Sequence, residues 1–246
     1  MRMAIKQWHD VLFSQGFGTR RVCAGLVQQG LVSHAGQVVA DSADVVDTQD
    51  LTFEVQGVAW TFYESAYLVL HKPAGYECSQ KPSLYPSIYT LLPAPLRQRG
   101  GGAAAGVQAV GRLDQDTTGL LVLSDDGKFI HRLTSPKHHV PKVYEVTTKH
   151  AIDATQIERL LDGVVLDDSP KPVAAFAAEQ TSECGLRLTL TEGKYHQVKR
   201  MLAAVSNRVE GLHRSQMGEL SLDGLPSGQW RWLTAQEVVA VSAKTK

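Results

Sequence analysis

Residues 110–123 read V-G-R-L-D-Q-D-T-T-G-L-L-V-L, in which a polar loop separates two short apolar runs. Each run has the length and composition of a buried strand, so the sequence predicts two strands joined by this loop. The loop carries Asp114 and Asp116, and a second acidic turn follows at 125–127. Because loops on a rigid scaffold often hold catalytic groups, Asp114 is the first candidate for chemistry.

The composition is that of a chain that can fold around an apolar core without covalent cross-links. It has 246 residues, of which 43% are hydrophobic. Cys23, Cys78 and Cys184 show no paired spacing, so neither a disulfide framework nor a zinc site is predicted. No apolar run is long enough for a membrane span, and residues 1–9 lack the apolar core of a signal peptide. We therefore expect a soluble, cytoplasmic protein with no membrane partner.

Charge is balanced overall but unevenly distributed along the chain. Lys plus Arg and Asp plus Glu both number 25, so net charge neither favours nor excludes a nucleic-acid partner. Residues 128–142 contain four Lys or Arg and no acid, and residues 187–214 contain six Lys or Arg against two acids. Two such segments suit a polyanion, although ordinary solvated faces would give the same counts.

Apolar periodicity outlines the secondary structure beyond residue 66. It predicts strands at Tyr67–Leu70, Gln108–Leu113, Gly119–Leu123, Val143–Thr147, Val164–Leu166, Val173–Glu179 and Leu186–Leu190. It predicts helices at Ser87–Leu92, Gly127–Leu133, Ala154–Leu161, Gln197–Val205 and Ala235–Val241. Because strands and helices are interleaved without strict alternation, an α+β fold with a mixed or antiparallel sheet is favoured. The glycine-rich segment 97–106 is predicted to be a flexible loop without chemistry.

The first sixty residues have a different pattern from the rest of the chain. Apolar spacing over residues 5–12 predicts one helix, Thr19 is positioned to cap a second helix, and short strands follow. This order resembles the S4-type RNA-binding module, which implies RNA contacts from Arg20 and Arg21 at the start of the second helix. Residues 1–60 carry four basic residues against six acids, which is a weak charge balance for an RNA clamp.

The acidic loop on its own allows three interpretations. Asp114, Asp116 and Gly119 are spaced as in a calcium loop, but the flanking helices and the terminal Glu of that motif are missing. The order Asp-x-Asp-x-Thr resembles the nucleophile loop of the magnesium-dependent haloacid dehalogenase-like phosphatases, although that loop opens a doubly wound domain. A capped turn without chemistry is compatible with the same residues.

Four ordered segments match the motifs of the pseudouridine synthases, and more narrowly of the branch that acts on ribosomal RNA. These segments are K-P-A-G-Y at 72–76, G-R-L-D-Q-D-T-T-G-L-L at 111–121, K-V-Y-E-V at 142–146 and E-G-K-Y-H-Q-V-K-R-M at 192–201. The resemblance covers nearly the whole chain, and four motifs in the expected order make coincidence implausible.

This resemblance implies an S4-like module over residues 1–60 and a catalytic domain over residues 61–246. It implies an isomerase that turns a uridine of RNA into pseudouridine, and this reaction needs no cofactor and no metal. The target uridine must leave its base stack to reach a carboxylate. In the first motif, the Lys72-Pro73 turn is expected to shape the site and not to react.

The resemblance also implies roles for individual side chains. Asp114 is the catalytic residue, either as a nucleophile on the sugar or as a base that removes a ribose proton, and its charge needs a nearby cation. Lys199 matches the active-site basic residue of the family and lies at the edge of the apolar stripe of its helix, whereas Arg200 points away and can contact RNA. Tyr144 is expected to stack on the flipped uracil, and Arg112 to help displace the base.

Two further segments resemble the enzymes of small-subunit 16S rRNA more than those of 23S rRNA. They are T-S-P-K-H-H at 134–139 and V-E-G-L-H-R at 209–214. Their basic and histidine side chains, together with Lys142, suit contacts to phosphate and sugar. The expected partner is 16S rRNA or an assembling small subunit, bound by a monomer. A 23S rRNA enzyme, a non-catalytic ribosome-assembly binder and a magnesium-dependent phosphatase are the alternatives.

Overall fold

The computed structural model of the protein describes residues 5–100, 106–167 and 169–242. Its α-helices are α1 (Trp8–Gln15), α2 (Arg20–Gln28), α3 (Ala94–Gln98), α4 (Gly127–Thr134), α5 (Ala154–Asp162), α6 (Gln197–Ala204) and α7 (Ala235–Ala240), with 3₁₀ turns at Ile88–Leu91 and Pro136–His138. Asp126 caps α4, and Asp153 and Thr234 form capping boxes at α5 and α7. Within the described residues, no helix has both the length and the apolar character to span a membrane.

The strands alternate irregularly with these helices. They are β1 (Ile5–Gln7), β2 (Val32–His34), β3 (Gln37–Val38), β4 (Val45–Asp47), β5 (Thr52–Val55), β6 (Val58–Thr61), β7 (Tyr67–Lys72), β8 (Gln108–Ala109), β9 (Thr118–Ser124), β10 (Lys142–Thr148), β11 (Val164–Leu166), β12 (Ser169–Val173), β13 (Ala177–Ser182), β14 (Gly185–Leu190), β15 (Val209–Met217), β16 (Leu220–Ser221) and β17 (Trp230–Trp232). The main sheet has the order β13-β14-β10-β15-β9-β7-β17. Strands β15 and β9 run parallel, and the other neighbours in this order run antiparallel. The predicted α+β fold with a mixed sheet is therefore confirmed.

The chain divides into two compact units. The first contains the described residues of 1–66 and 92–108, and the second contains those of 67–91 and 109–246. Residues 92–108 thus belong with the amino-terminal unit, although the sequence suggested one continuous domain from residue 61. These residues join the first unit through contacts with residues that are distant in the sequence. The apolar periodicity of a sequence does not reveal such contacts.

Arg99 is the clearest of these contacts. Its guanidinium is buried and donates to Gln15 Oε1 at 2.7 Å and to the carbonyl of Tyr63 at 2.7 Å. The segment 97–106 was expected to be a flexible loop without chemistry, and the expected flexibility is wrong for Arg99 because its buried guanidinium is held by these partners. Residues 101–105 lie outside the described part of the chain.

The amino-terminal unit has its own apolar core. Trp8 and Leu12 of α1 are buried, and the Trp8 ring packs edge-on against Phe53 of β5 at 5.7 Å between centroids. The first helix begins at Trp8 and not at Ile5, because Ile5–Gln7 pairs with β4 as a strand. Thr19 caps α2 as expected, through a hydrogen bond from the backbone of Val22.

In the second unit the largest departure from expectation concerns the segment before Asp114. A strand was predicted over Gln108–Leu113, but the strand ends at Ala109. Gly111 takes a φ of 73°, a left-handed conformation that turns the chain out of the sheet. The predicted strand Val173–Glu179 is likewise split between β12 and β13, and β15 was not predicted.

Strand β9 anchors the core of this unit and fixes the acidic loop. Leu120, Leu121, Val122 and Leu123 are all fully buried, which is why the run shows no polar alternation. Phe129 of α4 packs in the same core cluster as Leu120 and Val122. Because β9 is held on both faces, the loop that enters it at residues 114–117 starts from a rigid base.

Candidate active site

Asp114 lies on the irregular loop that leads into β9. Its backbone carbonyl accepts a hydrogen bond from Thr117 N at 3.1 Å, which closes a tight turn. The preceding Leu113 N–H donates to Cys78 Sγ at 3.5 Å. The Asp114 side chain is 26% exposed and lines a pocket of about 150 Å³. The carboxylate is therefore reachable from solvent but shielded on most sides.

Helix α6 brings two basic side chains to this carboxylate. Lys199 Nζ lies 3.0 Å from Asp114 Oδ2, and His196 Nε2 lies 3.3 Å from Asp114 Oδ1. His196 precedes the helix with a φ of 47°, a left-handed conformation that is unusual for histidine. Each oxygen of Asp114 thus faces one nitrogen from the start of the same helix, which orients the carboxylate and offsets its loss of hydration.

Lys199 is shared with a second carboxylate. The two oxygens of Asp116 lie 2.7 and 2.9 Å from Lys199 Nζ. Burial opposes the charge of Lys199, but hydrogen bonds to Asp116 and Asp114 outweigh it, so the pKa of the amine is raised. Burial also opposes ionisation of Asp116, and Lys199 again outweighs it and lowers the pKa of that carboxyl. The amine is therefore a cation throughout the neutral range.

Lys72, at the end of β7, binds the backbone of the loop that carries Asp114 and Asp116. Its side chain is fully buried, and Nζ donates to the carbonyls of Pro73 at 3.0 Å, Gln115 at 3.1 Å and Thr117 at 2.7 Å. Burial is the main cause that lowers the pKa of this amine. Because all three contacts are to main-chain carbonyls, Lys72 fixes the backbone on either side of Asp116. This agrees with the shaping role expected for the Lys72-Pro73 turn.

The wall of the pocket opposite the loop comes from β10 and β15. Tyr144 and Arg214 are direct partners in the antiparallel pairing of these strands, so their side chains leave the sheet on the same face. Lys142, two residues before Tyr144, has a buried amine that donates to the carbonyl of Val140 at 2.8 Å. Burial, and then the charge of Arg214, lower the pKa of Lys142 to about 8.

Four side chains singled out by the sequence come together in this pocket: Asp114, Tyr144, Lys199 and Arg112. Tyr144 is buried, with its ring against the pocket. Arg112 is exposed at the rim of the pocket. The motifs therefore identified one contiguous site, although Arg112 and Lys199 are 87 positions apart in the chain.

Two basic residues that were expected to contact RNA are buried in the wall of the pocket. Lys142 lies inside the pocket and not on the outer face of the basic segment. Arg214, expected to suit contacts with phosphate and sugar, is 2% exposed, and its Nε donates to the carbonyl of Leu120 at 2.8 Å. The burial of both residues has one cause: residues 142 and 214 lie on inward-facing positions of central strands, which a count of charges along the chain does not reveal.

The other predicted RNA-contacting residues lie away from the pocket lining. Arg200 is partly exposed on α6, where Nη1 donates to the carbonyl of Tyr195 at 2.9 Å. Arg20 and Arg21 are exposed at the start of α2 in the first unit. Arg20 is engaged locally, with Nε 2.9 Å from Asp10 Oδ1. None of these three positions is tested by the geometry of the pocket.

The sequence did not single out His196 and Arg214 as site residues. His196 belongs to the matched segment 192–201, but its left-handed backbone, which directs the ring to Asp114, has no sequence signature for a non-glycine residue. Arg214 could have been found if 209–217 had been identified as a strand. Leu212 and Arg214 then fall on one face by alternation, and both line the pocket.

The carboxylates of the loop face amines and not each other. Within the described ranges, no group of three or more His, Cys, Asp or Glu side chains is arranged to hold a metal ion. Asp114 and Asp116 both contact Lys199. Calcium and magnesium sites are built from several converging oxygen ligands, so the donor set that the calcium-loop and phosphatase interpretations require is not assembled here.

Comparisons with known proteins agree with this geometry. A family model described as RNA pseudouridylate synthase matches residues 66–204. The ribosomal small subunit pseudouridine synthase A of Pasteurella multocida is 38% identical over 222 residues, covering 89% of this chain and 92% of its own length. The protein of the same name from Escherichia coli strain K12 is 35% identical over 235 residues, covering 94% and 98%. An uncharacterized RNA pseudouridine synthase of Bacillus subtilis is 38% identical over 232 residues, covering 93% and 95%.

A solved structure shows the same likeness in three dimensions. The crystal structure of a pseudouridylate synthase covers 96% of this chain and 99% of its own, with 32% sequence identity and a TM-score of 0.65. The similarity thus extends over both units of the chain and includes every segment that contributes to the pocket.

Proposed function

The chain belongs to the RNA pseudouridylate synthase family, and from this premise we propose that it isomerises one uridine of 16S ribosomal RNA to pseudouridine, with Asp114 as the catalytic residue. The observation that carries this proposal is the pairing of Asp114 with Lys199 at 3.0 Å in a pocket that also contains Tyr144. A shielded, oriented carboxylate next to an aromatic ring has the parts that the reaction needs: a reactive oxygen and a surface for the base.

The reaction rearranges bonds within a single nucleotide. The bond between the sugar carbon C1′ and the base nitrogen N1 breaks, and its electron pair leaves with the uracil. The uracil turns over, a new bond forms between C1′ and C5, the C5 proton leaves and N1 takes up a proton. No atom is gained or lost overall, so no external oxidant, reductant or group donor is consumed.

Asp114 can begin this sequence in two ways. Its carboxylate can attack C1′ directly, or it can remove a ribose proton and so drive departure of the base. Lys199 and His196 hold one oxygen each in both cases. Tyr144 would support the face of the detached uracil and keep it in the pocket, which is worth about 1–3 kcal/mol for a base–aromatic contact. Arg112 at the rim would occupy the space that the flipped base leaves in the RNA.

Support for a 16S rRNA substrate comes from the relatives and from two segments of the sequence. The relatives from Pasteurella multocida and Escherichia coli carry names that specify the small ribosomal subunit. The segments 134–139 and 209–214 were matched to the same group from the sequence. We propose 16S rRNA, or a partly assembled small subunit in the cytoplasm, as the partner of a monomeric enzyme.

We further propose that the first unit is an S4-like module that contacts the same RNA. Arg21 is exposed at the start of α2, and Arg200 is partly exposed on α6 of the second unit. Arg20 is bound to Asp10, so Arg21 is the stronger candidate for a phosphate contact. Contacts of this kind position RNA and do not read its sequence.

The proposal is tested by mapping pseudouridine in both ribosomal RNAs with carbodiimide-blocked primer extension. A strain without this gene is compared with strains that express the wild type, Asp114→Asn or the control Asp162→Asn, which changes an exposed acid of α5. We expect one stop in 16S rRNA that disappears in the deletion strain, returns with the wild type and the control, and stays absent with Asp114→Asn. A stop restored in 23S rRNA, or no change in either RNA, would contradict the proposed substrate.

A further inference from the structure

The pocket contains buried polar atoms that the protein itself leaves without a partner. In the part of the chain that the structure describes, two buried side-chain nitrogen or oxygen atoms lack a hydrogen bond: Thr117 Oγ1 and Arg214 Nη2. Both residues line the pocket beside Asp114. A buried donor without an acceptor destabilises the folded protein, and more so when it is charged. Their common position indicates that a bound molecule supplies the missing partners.

Arg214 is the more specific of the two, because a guanidinium can only donate. Its Nε is already bound to the carbonyl of Leu120, which fixes the plane of the group. No Asp or Glu among the described residues forms an ion pair with Arg214, and the nearby Asp114 and Asp116 are held by Lys199. Nη2 therefore requires an acceptor, neutral or anionic, that enters from the pocket.

The residues around Arg214 indicate the kind of molecule that carries this acceptor. Tyr144 is its cross-strand partner, so a planar ring that lies against Tyr144 is next to the guanidinium. Lys142 lines the same pocket, with its amine bound to one carbonyl. An aromatic face beside two donor groups suits a flat heterocycle whose edge carries oxygen acceptors. This matches uracil, whose polar edges carry two carbonyl oxygens.

We propose that Arg214 Nη2 donates a hydrogen bond to a carbonyl oxygen of the flipped uracil, and that this contact strengthens when the glycosidic bond breaks. This inference rests on the proposed function. When C1′ and N1 separate, the electron pair stays on the base and its charge spreads to the carbonyl oxygens, until C5 joins C1′ and N1 is protonated. A charge-assisted hydrogen bond is stronger than a neutral one, so Arg214 stabilises the detached base more than the bound uridine.

The test combines a change in the protein with a change in the RNA. Single-turnover rates are measured for the wild type, Arg214→Gln and Arg214→Lys on RNA that carries uridine, 2-thiouridine or 4-thiouridine at the target, since sulfur is a weaker acceptor than oxygen. Arg208→Gln is the matched control, because Arg208 is exposed and paired with Glu210 at 3.3 Å. Thermal melting and RNA affinity are recorded for each variant to separate folding from chemistry.

We expect Arg214→Gln to reduce the rate on uridine by about 10²-fold, the usual effect of losing one preorganised donor to developing charge. One of the two thio substitutions should slow the wild type and Arg208→Gln but have little further effect in Arg214→Gln. Thio effects of equal size in the wild type and the Arg214 variants would overturn the proposal. If neither Arg214 variant folds, the wild type alone is decisive. Equal single-turnover rates of the wild type on uridine, 2-thiouridine and 4-thiouridine would then overturn the proposal as well.

The same measurements separate this inference from the function on which it rests. A wild type that converts the uridine RNA, with thio effects that do not depend on Arg214, overturns the role of Arg214 alone. A wild type that converts no uridine in either ribosomal RNA overturns both proposals.

Discussion

Gly119 lies directly opposite Arg214 in the parallel pairing of β9 and β15, and its α-carbon approaches the Arg214 backbone too closely for any side chain. A β-carbon at this position would lie 2.7 Å from Arg214 N and closer still to Arg214 O, and the φ of Gly119 is 109°. The glycine thus allows β15 to deliver Arg214 to the pocket next to the loop of Asp114.

We expect Gly119→Ala to lower the free energy of unfolding by about 2 kcal/mol or more, through backbone strain and displacement of β15. Urea unfolding measures this loss. Gly127→Ala is the matched control, because Gly127 is the first residue of α4 with no atom in the way of a β-carbon. That substitution should stabilise the protein slightly, since alanine favours helix over glycine by up to about 1 kcal/mol. Equal effects of both substitutions would show that the close approach to Arg214 has no energetic consequence.

Lys199 should be more important for activity than Asp116, which it also binds. Lys199→Gln removes the cation from both carboxylates, and we expect the rate of pseudouridine formation to fall by about 10²-fold or more, as for other preorganised electrostatic contacts. Asp116→Asn leaves Lys199 paired with Asp114 alone, so its rate should remain within about tenfold of the wild type. Release of tritium from RNA labelled at uridine C5 measures both. A larger loss for Asp116→Asn than for Lys199→Gln would contradict this ranking.

Tyr195 offers an exposed aromatic ring beside the site. It is 68% exposed and stacks on His196 with ring centroids 3.7 Å apart. We predict that it stacks on a base adjacent to the target uridine. Tyr195→Ala should then weaken RNA binding by about 1–3 kcal/mol, whereas Tyr195→Phe keeps the affinity. Fluorescence anisotropy with a labelled RNA tests this, with the exposed Tyr85→Ala as control. Equal losses for Ala and Phe at position 195 would rule out stacking as the cause.

The buried amine of Lys142 gives a pH dependence of stability with a defined sign. Its pKa falls from 10.5 to about 8 on folding. Between these values the unfolded chain holds the proton and the folded protein does not, so the contribution of Lys142 to stability rises with pH and is complete above 10.5. The total rise is of the order of 3 kcal/mol, from 1.36 kcal/mol per pKa unit.

Lys142→Met removes this dependence, and the comparison with the wild type cancels the other titrating groups. We therefore expect Lys142→Met to be more stable than the wild type at pH 7, with the difference shrinking as the pH rises from 8 to 10. Urea titrations at both ends of this range measure the effect. A difference that stays constant would mean that the amine is hydrated in the folded protein, and one that grows with pH would mean that the folded protein stabilises its charge.

The sequence located helices better than strands in this chain. Helices α4, α5 and α6 were predicted to within one residue at each end, because an apolar stripe and caps such as Asp126 are local features. Strand β15 was missed because its nine residues include Glu210, His213 and Arg214, which mask the alternation. Of the three, Arg214 alone lines the pocket, whereas Glu210 is exposed and His213 Nδ1 lies 2.9 Å from Thr118 Oγ1.

In the site, too, features that depend on nearby residues were predicted, and features that depend on residues distant in the sequence were not. Helical spacing placed Lys199 where it could reach Asp114, and the two lie 3.0 Å apart. The burial of Lys142 and Arg214 was not predictable, because it depends on which strands become neighbours in the sheet. Resemblance to a family supplied the motifs, but it did not indicate which of their basic residues turn inward.

The hydrogen bonds of Lys72 affect how the enzyme distinguishes one RNA molecule from another. By binding the carbonyls of Pro73, Gln115 and Thr117, it removes most of the conformational freedom of the Asp114 loop when the protein folds. RNA association then loses little entropy on the protein side of this loop. The remaining cost falls on the nucleic acid, which must unstack the target nucleotide. Discrimination between a correct and an incorrect uridine should therefore follow how readily each one leaves its own helix, more than how well the protein adjusts to it.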